Sequence, residues 1–449
     1  MKGFINYLLP FTIGSGSIVG YIVWKNKGQE LSPPPSSVTN NLVNLQQNEE
    51  ETEELKQQTK KQQIREEANK AFQKINDYSF RLFSPCGMGT AWILDYQLPE
   101  EGHYPTVWYI ATVAHTIRRF RFLDNTYQQA LPISIENTNN LRKEIQQQDF
   151  SKLSLYGNWE KNCELSAKQG YFDFNISRQE NGEELQAEFG AIHNNKVKTP
   201  KLFYTSIDLW EANPSLNIPR NNYKDFAVLE IEFNDEEYAK KVTGNFAEKY
   251  PISATNALNI FSGPLDSRYS WEEIDKLDEN FYNLAYPSKP KLFNKYNYTV
   301  AFDEEKAEAF KLSNDPKNWY KTTDKKLNGH VASKGLWEFK WNGKEKVDIG
   351  YHYLLKIDKE LRMGVGASGS LYADKEGNVL GIHGGGEFWG EHSFVIPLRS
   401  NGISLEGTIQ TPKYDLILGS KGQTSSYREQ IEKYNKNTWL RAREWKHKS

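Results

Sequence analysis

The sequence predicts a β-dominated body that ends in a helix. Three observations carry this expectation. Aromatic residues make up 13% of the chain, with 25 Tyr and 23 Phe, which suits pleated, half-buried surfaces better than helical bundles. Short β-rich runs, "TAWILDY" and "VWYIATVAH", flank the turn material "QLPEEGHYP", and "DFAVLEIEF" and "NVLGIH" follow later. Helical periodicity is scarce beyond Phe80 until the C-terminal end.

In chain order, Phe4 to Trp24 runs 21 residues without a charge, between Lys2 and the pair Lys25 and Lys27. That length crosses a bilayer as one helix. Asn6, Pro10, Thr12 and the run Gly14 to Ser17 dilute it, so residues 1–27 read as a membrane anchor or a signal segment. Lysines on both sides leave the orientation open. "LSPPPSS" opens an extended linker, and 28–78 continues as Glu-, Gln- and Lys-rich sequence expected to form a charged helical stalk. Leu55, Ile64, Phe72 and Ile75 are too sparse there for a coiled-coil seam. The β body is expected over 79–420, with long polar inserts near 120–220 and 262–345. Residues 421–449 then supply the terminal helix, where Ser426 and Glu429 form a capping box ahead of Tyr427, Ile431 and Tyr434.

Composition excludes several classes. The net charge is −2, which gives no global argument for nucleic-acid binding. No CxxC, HExxH, zinc-knuckle spacing or GxxxxGK[ST] occurs, so neither a metal hydrolase nor a nucleotide-driven enzyme has motif support. Cys86 and Cys163 cannot build a disulfide framework; they are one bridge or two free thiols, and neither sits in a recognisable nucleophile turn.

The glycine-rich stretch "GVGASGSLYADKEGNVLGIHGGG" asks for a chemical reason, because glycine in a strand costs backbone entropy and packs nothing. A nucleophilic serine needs glycines around it, an imidazole to take its proton, a carboxylate to orient that imidazole, and backbone N–H groups for the oxyanion. Ser368 stands between Gly366 and Gly369. His115 ends "WYIATVAH", where a strand leads into a small-residue turn. Asp225 opens "DFAVLEIEF", where a buried carboxylate demands a partner; Asp208 is the reserve candidate. Each signal alone has a structural explanation. The order His, Asp, Ser is that of chymotrypsin-like proteases and differs from the subtilisin and α/β-hydrolase orders.

Together, "GTAWILDY", "WYIATVAHT", "DFAVLEI" and "GASGSLYADKEGNVLGIHGGG" resemble the hallmark segments of trypsin-like serine proteases. The size, the N-terminal segment, the Asn-, Lys- and Tyr-rich composition and the long inserts are most similar to the mycoplasma immunoglobulin protease family. Ala367 departs from the Asp or Asn that often precedes the serine. The resemblance implies a chymotrypsin-like double β-barrel with long insertions and a serine endopeptidase without cofactor or metal. It assigns His115, Asp225 and Ser368 as the triad and the N–H groups of Gly366 and Ser368 as the oxyanion hole. It also implies that Gly384 and Gly385 line the substrate strand, and that His383 and Arg362 line the first specificity pocket and favour an acidic substrate residue. The implied partners are a host protein, an immunoglobulin G heavy chain, and a separate surface protein that captures it. The implied location is the cell membrane, single-pass, with the protease domain outside. The competing reading is a catalytically idle protease-fold surface protein that binds a host protein.

Overall fold

The β-rich runs pair into two sheets. The computed structural model describes residues 55–59, 62–63, 66–84, 87–147, 175–180, 183–186, 195–216, 218–269, 281–286, 339–349, 352–356, 366–386, 392–405 and 409–448. The chain divides into residues 1–60 and a unit spanning 61–449.

Helix α1 (66–78) leads directly into strand β1 (Ser79–Ser84). A charged, solvated stalk was the expectation for this stretch, and the last turns depart from it. Ala68, Ala71, Phe72, Ile75 and Tyr78 recur at spacings of three and four and are all buried in the core. The two alanines make up two of the five positions of that stripe and do not register as apolar anchors in a Glu- and Lys-rich sequence.

The first sheet has eight strands. After β1 come β2 (Gly87–Tyr96) and β3 (Val107–Thr112), then helices α2 (Ala114–Ile117) and α3 (Ile135–Gln147). Strands β4 (Asn175–Glu180), β5 (Glu183–Gln186), β6 (Lys201–Ile207) and β7 (Asn222–Glu232) follow. Helices α4 (Glu236–Val242) and α5 (Phe246–Lys249) close this half. Strand β7 is buried along almost its whole length because β3 and β6 pair with it antiparallel.

The second sheet starts with β8 (Tyr282–Asn283). The short β9 (Lys340–Trp341) and β10 (Lys344–Glu345) make a hairpin, and β11 (Val347–Asp348) crosses back to run parallel to the start of β7. Strands β12 (Tyr353–Lys356), β13 (Leu371–Ala373), β14 (Val379–Gly386) and β15 (His392–Pro397) complete the second sheet in the order β12-β15-β14-β13-β8. The expected pair of closed barrels is not found: among the described residues each sheet is an open path of hydrogen-bonded strands. In the first sheet the β4–β5 hairpin, drawn from the insert, occupies the free side of β1.

The C-terminal end packs on the first sheet. Ser426 caps helix α6 (Tyr427–Lys433) by accepting the Glu429 N–H, and helix α7 (Trp439–Ala442) follows. Trp439 stacks on Tyr96 at 5.9 Å, and Asp95 of β2 accepts from Leu440 N and Tyr427 OH at 2.9 and 3.1 Å. Among the described residues no helix is long and apolar enough to cross a membrane. The stretch 4–24, Cys86, Cys163 and Arg362 all lie outside the described residues.

Candidate active site

Strand β3 ends at Thr112 and the chain turns at once into α2, which places His115 at the rim of the first sheet. Asp225 reaches it from β7, the neighbour of β3. Its Oδ1 accepts the His115 backbone N–H at 2.9 Å and its Oδ2 meets His115 Nδ1 at 2.5 Å. A carboxylate can only accept, so Nδ1 carries the proton and Nε2 presents a lone pair. The exposures suit those roles: the Asp225 side chain is 9% exposed and that of His115 26%. The imidazole is oriented from behind by Asp225.

Ser368 sits half-buried in a turn from Gly366 to Ser370, just before β13. Two sites on the first sheet hold this turn. The Thr90 N–H donates to the Ser368 carbonyl at 2.8 Å, and the Thr90 hydroxyl donates to the Gly366 carbonyl at 3.0 Å. Thr90 Oγ1 is itself fixed by the Tyr286 N–H at 2.9 Å. Gly369 has φ +95°, and a Cβ there would lie 2.1 Å from the Thr90 carbonyl and 2.4 Å from Thr112 Oγ1. No side chain fits, because the turn approaches β2 and β3 backbone-first.

Gly89 shows how close the halves come. A Cβ at Gly89 would lie 2.5 Å from Thr116 Cγ2 and 3.0 Å from the Ser368 carbonyl, so the residue after His115 and the serine both border one point. Among the described residues the amides of Gly366 and Ser368 donate no hydrogen bond, and the Ser368 hydroxyl makes none. Two undirected amides beside a serine are what an incoming oxyanion requires.

His383 lies on β14, and its backbone brackets the turn: Gly369 N–H donates to the His383 carbonyl at 2.8 Å and His383 N–H to the Ser370 carbonyl at 2.7 Å. The imidazole is buried, with Ser393 Oγ 2.6 Å from its Nδ1 and Tyr372 OH 2.8 Å from that serine. Burial pushes its pKa down to about 3, with repulsion from His115 adding to the effect. The imidazole is therefore neutral at ordinary pH. Gly384 falls at a bulge against β15, and residues 384–386 pair with β15, with no described strand on their other side.

Sequence reasoning missed a buried charge cluster behind this site. Lys224, beside Asp225, has no exposed side-chain surface and pairs with Asp348 of β11 at 3.1 Å. Asp348 also meets His352 Nε2 at 2.8 Å. Burial pushes the His352 pKa down, and the Lys224 charge pushes it further. Asp208, the reserve carboxylate, is half-exposed and paired with Lys346, away from the imidazole.

The sequence profile of the mycoplasma immunoglobulin protease family matches residues 71–385, well over half the sequence, and the chain belongs to that family. Among solved structures it is similar to one described as the mycoplasma MIB and MIP proteins. There the identity is 18% and the TM-score 0.41, with 79% of this chain and 59% of that chain covered. The chain thus spans less than two thirds of that relative. It is also similar to the active form of the Rv3671c protease from M. tuberculosis, at 12% identity and a TM-score of 0.28, covering 73% of this chain and 78% of that one. No curated protein matches it.

Proposed function

We propose that the protein is a serine endopeptidase in which Ser368, His115 and Asp225 act as a unit. The observation that carries this reading is the double hydrogen bond from His115 to Asp225, which fixes both the ring and its tautomer. Ser368 Oγ attacks the substrate carbonyl and its proton passes to His115 Nε2. The Gly366 and Ser368 amides receive the oxyanion. Collapse expels the amine with the proton from His115, leaving an acyl-serine. Water then attacks the acyl carbon, giving its proton to His115, and release of the acid returns that proton to Ser368. Asp225 holds the ring and stabilises the imidazolium. Residues 384–386 receive the substrate backbone on the side away from β15.

His383 acts in the first specificity pocket as a neutral donor. In the relay Tyr372 donates to Ser393, Ser393 donates to His383 Nδ1, and Nε2–H faces an acidic substrate side chain. By family membership the substrate is an immunoglobulin heavy chain, brought by a separate surface protein to a single-pass protease held outside the membrane by residues 4–24. The inserts engage the folded substrate. Deletion from Tyr156 to Trp210 would take buried strand β6 out of the first sheet, so the test deletes only 156–174, which spares cleavage of a short peptide and cripples cleavage of the intact protein.

The test is incubation with immunoglobulin and with a peptide library, beside Ser368→Ala. Cleavage by the wild type that vanishes in the variant, with a fluorophosphonate labelling Ser368 alone, supports the reading. Host-protein binding without cleavage by either form makes the chain an idle binder. Acidic preference lost in His383→Ala supports the pocket, and a profile indifferent to His383 removes it.

A further inference from the structure

A cavity of about 250 Å³ lies between helix α1 and the tight hairpin joining β13 to β14. Lys70 and Lys74, one turn apart on α1, line it together with Lys375 of the hairpin. Its apolar wall is made of Ala71, Ile75 and Leu258.

The one carboxylate in the lining is already committed. Asp374 pairs with Arg268 at 3.2 Å and accepts from the Asn378 N–H and side-chain amide at 2.8 and 2.9 Å. Glu376, next on the hairpin, is exposed and lies outside the lining. Among the described residues Lys74 makes neither a hydrogen bond nor an ion pair, although its side chain is partly buried. Gly377, at φ +91°, lets its ammonium come close: a Cβ there would lie 2.9 Å from Lys74 Nζ. Burial lowers the Lys74 pKa and the Asp374 charge offsets this only in part. The surroundings are positive beyond the cavity as well. His447 at the C-terminal end has its pKa lowered by burial, then by the charges of Arg443 and Lys74.

A partly buried ammonium normally has an anion beside it, since desolvation without a counter-charge is unfavourable. We propose that this cavity is a binding site for a phosphate group carrying an apolar substituent, held by Lys74 at its centre and by Lys70 and Lys375 at its rim. Phosphate fits better than carboxylate because the ammonium groups come from two elements, a helix and a hairpin, and a tetrahedral anion offers acceptors in each direction. The aliphatic wall gives the substituent a surface to cover. Two sources share this chemistry, a phospholipid headgroup and a free organic phosphate. The cavity lies at the hairpin end of β13 and β14, whereas Ser370 and His383 pair at the other end, so binding here is independent of peptide hydrolysis.

The experiment uses the full chain and its Ser368→Ala form. Inorganic phosphate is titrated at constant ionic strength against chloride, with binding read by equilibrium dialysis and by the melting temperature. Vesicles of phosphatidylcholine with and without phosphatidylglycerol are tested in parallel. Phosphate should bind and raise the melting temperature equally in both forms. Lys74→Gln should weaken binding about tenfold or more, and Lys375→Gln less, as expected for losing a charge-assisted contact. Lys74→Arg should retain binding. Without phosphate, Lys74→Gln should melt no lower than wild type, because it removes a charge whose burial Asp374 offsets only in part. Lys74-dependent vesicle binding that requires phosphatidylglycerol assigns the headgroup; Lys74-dependent binding of phosphate alone assigns a free phosphate compound. Phosphate affinity equal in wild type and Lys74→Gln, no effect beyond that of chloride, or a lower melting temperature of Lys74→Gln without phosphate would each overturn the proposal.

Discussion

The two halves of the candidate active site are held in different ways. The His115–Asp225 half is fixed by side chains, on two neighbouring strands of one sheet. The Ser368 half is fixed by its backbone, through Thr90 of that same first sheet and a glycine that permits no Cβ. The difference follows from the chemistry asked of each. An imidazole must keep one tautomer and one orientation, which a carboxylate enforces. A serine must leave its hydroxyl and two amides undirected, so only its carbonyls are available for anchoring. Substitutions in the first half should therefore cost turnover with little stability, and substitutions in the second should cost both.

The largest effect tests the first half. Asp225→Asn should lower kcat by about 10⁴-fold, because an amide can donate to Nδ1 and so stabilise the wrong tautomer. The melting temperature should hardly move. A large drop in melting temperature would mean that Asp225 is chiefly structural.

The second half should break differently. Gly369→Ala puts a methyl 2.1 Å from the Thr90 carbonyl at a positive φ, and should destabilise the fold by about 3 kcal/mol or more. Chemical denaturation reads this directly. A variant as stable as wild type would show that the turn can leave β2 freely. Thr90→Val is milder: it keeps the N–H to Ser368 and removes the hydroxyl from Gly366 and Tyr286. It should cost about 1–3 kcal/mol of stability and about tenfold or more in kcat, with KM nearly unchanged. Loss of stability alone would detach Gly366 from the oxyanion role.

The smallest effect concerns how the first sheet holds the C-terminal end. Burial pushes the Asp95 pKa up to about 7 from 3.8, against the donors Thr438, Leu440, Tyr96 and Tyr427. A pKa raised on folding contributes stability that is complete below 3.8 and lost as pH rises through about 7. Asp95→Asn cannot ionise, so its stability relative to wild type should grow between pH 5 and pH 8 by about 1–2 kcal/mol. Urea midpoints at the two values measure this. A variant uniformly weaker at both would mean that the four donors keep the carboxylate charged.

The sequence exposed the site more fully than the scaffold. His115, Asp225 and Ser368 each break a local rule, as polar residues at the edge of apolar strands or among costly glycines, and such breaks are visible without coordinates. Thr90 breaks no rule, because a threonine in a strand is ordinary, and its double contact joins residues 276 positions apart. Lys224 was hidden for a related reason: its neutralising Asp348 lies 124 positions away, on a two-residue strand without a pattern of its own. Barrel closure failed as an expectation because local patterning marks strands, whereas closure depends on which distant edges meet. The buried stripe of α1 failed because alanine reads as a helix former before it reads as core.

That stripe also sets how the folded unit answers a mechanical load. The buried face of α1 is continuous with the core. Tyr78 at its end accepts the Leu258 N–H at 3.0 Å and packs edge-on against Phe246 at 4.7 Å. A pull on the N-terminus therefore shears a row of interlocked side chains in parallel instead of unzipping hydrogen bonds singly. The strain enters beside Phe246 and Trp439, whose rings pack 6.1 Å apart. It also passes directly into β1, whose Arg81 stands opposite Thr90 of β2. Tension on the chain would be shared between the aromatic core and the strand pair that anchors the serine turn.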